Sequence, residues 1–145
     1  MRGERGETLI EILIALAIIG IAMVAIVGAM GTGVVVSDRH RKQAVAGAAV
    51  MSYAEAVKQD AKTSGYQSSC TPTYGSAFAE PSGYAKSIVS VVFWTGAAFQ
   101  AYCSAGSDIG VQRLTLQVRS SDGRASERLL VVVRKPCRSS DPACT

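Results

Sequence analysis

Three groups of residues in this 145-residue chain have the types and positions to do chemistry. The first is a single carboxylate, Glu11, at the head of an apolar run: from Ile12 to Val36, 25 residues, no side chain carries a charge. A carboxylate in a bilayer costs roughly 2.5–3.5 kcal/mol at mid-helix and less near an end, so its chemistry there is pairing with a positive group. The second is four cysteines, Cys70, Cys103, Cys137 and Cys144, all downstream of the apolar run. An even number in a short segment of this kind reads as disulfides in an oxidising, extracytoplasmic setting. The third is His40, the only histidine, inside Asp38-Arg39-His40-Arg41-Lys42. One histidine without any Cys-x-x-Cys supplies neither the ligands nor the spacing of a zinc site, and cysteines paired with one another leave no thiol for it to activate. No catalytic residue, metal site or cofactor is expected, and the basic cluster suits lipid headgroups or neighbouring chains.

Positioning these residues requires a long helix. At about 1.5 Å per residue, the uncharged run alone is long enough to cross a hydrocarbon core of about 30 Å. It is roughly twice the length of a secretory h-region and no small-residue cleavage site follows it, so it is not an ordinary secretory signal. Beyond it, residues 39–64 contain no proline, and Ala46, Val50, Tyr53, Val57 and Ala61 recur at spacings of four and three, one stripe of a helix. Lys58 and Lys62 suit the last turn and Gly65 suits the stop. A helix from Thr8 to Ser64 is therefore expected, about 85 Å long at the usual rise. Ala25, Ala29 and Gly33 form a small-residue stripe that favours close helix packing in lipid. Gly20 and the Gly28–Gly33 cluster are candidate places for bending.

After a loop rich in Gly, Ser, Thr and Pro come three strand signals. Ile88 to Trp94 is β-branched and aromatic; Val111 to Arg119 alternates, with Leu114, Leu116 and Val118 on one face; Glu127 to Arg134 has an apolar centre. Asp122-Gly123 between the last two is a hairpin signal. Trp94, Phe99 and Tyr102 are assigned to the core in preference to an exposed contact patch. The fold class expected is α+β, a long N-terminal hydrophobic helix with a small C-terminal antiparallel sheet. A domain this small gains from cystines. Of the three possible pairings, the short loop from Cys137 to Cys144 favours a local bridge, which leaves Cys70 with Cys103 and stabilises by about 3–4 kcal/mol in the chain-entropy account.

The run Arg5-Gly6-Glu7-Thr8-Leu9-Ile10-Glu11-Ile12-Leu13-Ile14-Ala15-Leu16 resembles the N-terminus of type IV prepilins and type II secretion pseudopilins. The family pattern is a short basic leader ending in Gly, then commonly Phe, then Thr-Leu-Ile-Glu and an apolar helix; here Glu7 stands where Phe is usual. The resemblance implies a pilin-like fold and cleavage by a membrane prepilin peptidase between Gly6 and Glu7. It also implies a role for Glu11 as the carboxylate that meets the terminal amine of a neighbouring subunit, while methylation of the new N-terminus, in the family usually on Phe, is left open by Glu7. It divides the chain into a leader, 1–6, a membrane or filament-core half of the helix, 7–36, an amphipathic half, 37–64, and a disulfide-stabilised β domain, 65–145. The function implied is a structural subunit of a type IV pilus-like filament, with other pilin subunits as partners. The alternatives are a pseudopilin of a type II-like secretion system or an uncleaved membrane-anchored binding module. The chain would pass the cytoplasmic membrane once with its C-terminal domain outside, then reach the cell surface in a pilus. Arg39, Arg41 and Lys42 against Arg2 and Arg5 favour the opposite orientation by count, and the cysteines and the motif outweigh them.

Charge is uneven. Between Arg113 and Arg138 seven Lys or Arg face two acids, a net +5, whereas the whole chain carries +4. Such a region attracts anions. Alternating strands ordinarily turn arginine to solvent, and no base-reading module is present, so nucleic acid ranks as a minor partner.

Overall fold

The structure, a computed structural model, describes residues 4–63, 65–101 and 108–137, with side chains from Leu9 onward. Among the described residues there is one helix, α1 (Glu4–Thr63), followed by four strands, β1 (Tyr84–Trp94), β2 (Phe99–Gln100), β3 (Val111–Ser120) and β4 (Ser126–Arg134). The strands form one antiparallel sheet in the order β2-β1-β3-β4. This is the α+β, pilin-like arrangement expected from the sequence. The chain divides into two compact units, Met1–His40 and Arg41–Thr145.

In the first unit the helix is apolar on every side. Leu9, Ile18, Val24 and Val34 are all exposed, as are the other large apolar residues of this stretch. Within the apolar run the Thr32 hydroxyl donates back to the carbonyl of Ala29 at 2.9 Å, a local satisfaction of its polar group by the helix itself. The chain is already helical at Glu4, four residues ahead of the expected Thr8.

In the second unit the helical stripe is the floor of the core. Ala46, Val50, Tyr53, Val57 and Ala61 are all buried, joined by Ala49 and Ala54, which widen the stripe as a globular face requires. Against them lie Leu114, Leu116 and Val118 of β3, each 0% exposed, with Val131 and Val133 of β4. Lys62 sits in the last turn, and Gly65 follows with φ +97°, the left-handed stop that glycine adopts without penalty.

The β3–β4 hairpin turns where Asp-Gly predicted. Gly123 has φ +71°, its N–H donates to the Ser120 carbonyl at 2.9 Å, and Ser120 N–H donates to the Ala125 carbonyl at 2.9 Å. Strand β1 starts at Tyr84, four residues before the apolar run announces it, because Tyr84 to Ser87 pair with Ser120 to Gln117. The register shifts between Ile88 and Ser90, a bulge at Val89 that leaves this residue exposed. Past the bulge Phe93 points into the core, so Trp94 faces away from it. Trp94 and Phe99 are therefore half-buried on the opposite face, ring centroids 5.1 Å apart, rather than in the core as expected. Tyr102 lies outside the described residues.

Candidate functional site

Glu11 is exposed, two residues into the part of α1 whose side chains are described, and makes no ion pair with any described residue. Around it Leu9, Ile10, Ile12, Leu13 and Ile14 are all exposed. Gly6 and Glu7 fall within the helical backbone. The stretch is long and apolar enough to cross a membrane, and none of its most apolar part is buried in the chain. A helix apolar all round needs a cover of lipid or of other apolar helices, and a carboxylate set in that surface needs a cation from the same source. His40 is exposed at the end of this unit. No group of three or more metal-ligating side chains occurs among the described residues.

The second unit presents its own polar anchors, which tie loops to the core. Lys42 Nζ donates to Asp122 Oδ2 at 2.6 Å and the Lys42 carbonyl accepts from Tyr84 Oη at 3.2 Å, so the helix grips the hairpin turn and β1 at one place. Asp122 also accepts from Ser120 Oγ at 2.7 Å and Arg124 N–H at 3.1 Å. Lys42 first, then Ser120 and Arg124, hold its carboxyl well below the usual carboxylate range.

At the other end of the sheet, Asp108 accepts from Tyr66 Oη at 2.8 Å, Ser68 Oγ at 2.7 Å and Gly110 N–H at 2.8 Å. Burial, then the Asp108 hydrogen bond, pushes the Tyr66 phenol far above its ordinary value. Gln112, wholly buried, donates through Nε2 to the Gln67 carbonyl at 2.9 Å and to Tyr74 Oη at 3.2 Å, while its Oε1 has no described protein partner. Lys86 Nζ donates to the Gly75 and Phe78 carbonyls at 3.0 and 2.5 Å and lies over the Tyr53 and Phe78 rings. Asp60 accepts from Gly75 N–H at 2.7 Å. These anchors are structural.

Sequence reasoning did not single out Lys86, Asp60, Asp108 or Gln112 as contact residues. Only Gln112 carries a local signal, since it shares the alternating face of Leu114 and Leu116.

Cys70 and Cys137 are each in disulfide form. Cys103 and Cys144 lie outside the described residues, and so does the expected pairing.

With the geometry in place, comparison with known proteins locates the motif. Residues 1–27 match the family model of the prokaryotic N-terminal methylation motif. The chain therefore carries a prepilin-type motif at the head of a long apolar helix, which supports a type IV pilin or pseudopilin and points to a structural subunit rather than an enzyme. Helix and motif together fit a membrane-anchored protein, and the motif implies processing by a peptidase and assembly with other pilin subunits. No curated protein and no solved structure matches the chain.

Proposed function

We propose that the chain is a filament subunit of the type IV pilin class. It is inserted in the cytoplasmic membrane, cut between Gly6 and Glu7 by a prepilin peptidase, and polymerised through α1 into a pilus-like filament with the β domain outside the cell. The observation that supports this best is the methylation motif over residues 1–27 heading a helix whose apolar residues are exposed all round. Lipid covers that surface before assembly and other subunits cover it afterwards. Glu11 then meets the amine freed at Glu7 of a neighbour, since desolvated opposite charges stabilise each other while either alone is penalised. The cystines Cys70–Cys103 and Cys137–Cys144 brace the outer domain.

The test is processing and assembly read in parallel. Wild-type protein in membranes and sheared filaments is expected to lack residues 1–6. A Gly6→Leu variant is expected to remain full length in the membrane and absent from filaments, and mature protein of unchanged length from that variant overturns the cleavage site. Glu11→Leu is expected to be inserted and cleaved but excluded from filaments; normal incorporation removes the intersubunit role of Glu11. Non-reducing peptide maps of protein recovered from cells are expected to link Cys70 to Cys103 and Cys137 to Cys144.

A further inference from the structure

The face of the sheet turned away from α1 has an unusual composition. Alternation along β3 and β4 places Leu114, Leu116, Val118, Val131 and Val133 against the helix and sends the intervening residues outward. Four of those are arginines: Arg113 and Arg119 on β3, Arg128 and Arg134 on β4. No carboxylate points out from any of the four strands. Of the two acids in this region, Glu127 falls on the helix-side register opposite Val118, and Asp122 is in the turn, bound to Lys42. Four of the seven basic residues behind the excess visible in the sequence thus share one surface.

Aromatic and apolar groups interleave with the charge. Trp94 and Phe99 are cross-strand partners at one end of this face, and the Arg113 guanidinium lies 4.6 Å from the Phe99 ring centroid. Leu130 and Val132, 62% and 51% exposed, lie beside Thr115 and Arg113 in the next rows. Along β3 the arginines at 113 and 119 are about 20 Å apart at the ordinary rise of a strand. Arg128 and Arg134 are exposed and make no ion pair with a described residue.

We propose that this outer sheet face binds single-stranded nucleic acid, with the four arginines on phosphates and Trp94, Phe99 and the exposed aliphatic pair as the platform for bases. An open sheet that combines a cationic surface with ring faces is the chemistry by which single strands are held without sequence preference. A neutral polysaccharide fits less well, because among the described residues the strands of this face offer no carboxylate to bridge its hydroxyls. A duplex fits less well because its bases are stacked away from the rings. The binding is independent of filament assembly, so it stands or falls separately from the function proposed above.

Trp94 is the only tryptophan in the chain and therefore reports on this face alone. Full-length protein in neutral detergent is titrated with an oligo-dT of about 12 nucleotides, within the range of known single-strand sites. The expected result is quenching of Trp94 fluorescence, with an affinity that falls with salt at a log–log slope of about −3 for four neutralised phosphates. Replacing both Arg128→Ala and Arg134→Ala is expected to weaken binding about tenfold and to flatten the slope by about 1.4. Circular dichroism on the same variant checks that the fold is kept. Absence of quenching at low salt overturns the proposal, as does binding unchanged in the double variant. Duplex DNA or polyphosphate that binds as tightly as oligo-dT overturns the single-strand assignment in favour of a general anion surface.

Discussion

Two stretches of the same helix obey different rules. Residues 9–36 are apolar on all sides and exposed in the isolated chain, whereas residues 41–63 are apolar on one stripe and that stripe is buried under the chain's own sheet. Both segments are helical, so local propensity does not separate them. What differs is the solvent for which each is written. A one-sided stripe is complete once β3 and β4 lie on it; an all-round apolar surface stays incomplete until lipid or other helices arrive. The first stretch therefore calls for a cover from outside the chain, which in the proposed function is lipid and then other subunits, and the second governs whether the domain folds.

That contrast can be broken by substitutions on either side of it. The largest effect is expected from Leu116→Ala, which empties a fully buried site between α1 and the sheet. A loss of about 2–5 kcal/mol in denaturant unfolding of the detergent-solubilised protein is expected. Gly75→Ala comes next. Gly75 has φ +73°, and an added Cβ would overlap the Tyr53 ring, so a loss of about 1–3 kcal/mol is expected by the same measurement.

A smaller effect attaches to the Lys42–Asp122 clamp, which joins helix to hairpin at the surface. Because the Asp122 carboxyl is held below its ordinary value, its contribution is complete above about pH 4 and is lost as pH falls from there through the depressed value. Wild-type thermal stability is expected to decline over that acid window, and Asp122→Asn to start lower at neutral pH and decline less. A variant with the wild-type acid profile would show that the clamp does not contribute. The smallest effect is expected from Ile18→Ala in the first stretch, within about 0.5 kcal/mol of wild type in domain unfolding, because the residue is 61% exposed and belongs to no buried core. A loss as large as that from Leu116→Ala would erase the distinction between the two stretches.

Much of this architecture was readable from residue spacing. The stripe from Ala46 to Ala61, the alternation from Leu114 to Val118, the Asp122-Gly123 turn and the glycine stop after α1 all depend on neighbours a few residues away. Helix and strand periods are consequences of backbone geometry, which every residue carries with it. The exposed apolar surface with Glu11 in it was equally plain, since length and absence of charge are read along the chain without pairing.

Other features had no local signal. The first residues of β1, Tyr84 to Ser87, are strand only because Gln117 to Ser120 lie beside them, and two-residue β2 exists only against Phe93 and Trp94. Lys86 and Asp60 are polar residues of ordinary spacing, and only the folded loop brings carbonyls to one and the Gly75 N–H to the other. Trp94 was expected in the core, and the bulge at Val89 followed by the pairing of Phe93 with Gln112 sets it outside instead. By itself, then, the sequence determined where α1 runs, which of its stretches needs a foreign cover, and where the hairpin turns. Tertiary structure alone decided the register of β1, the anchors of the loop, and the gathering of four arginines and two aromatics on one face. The physical reason is that periodicity is set by bonds within a few residues, whereas register and shared faces are set by contacts between residues far apart in the chain.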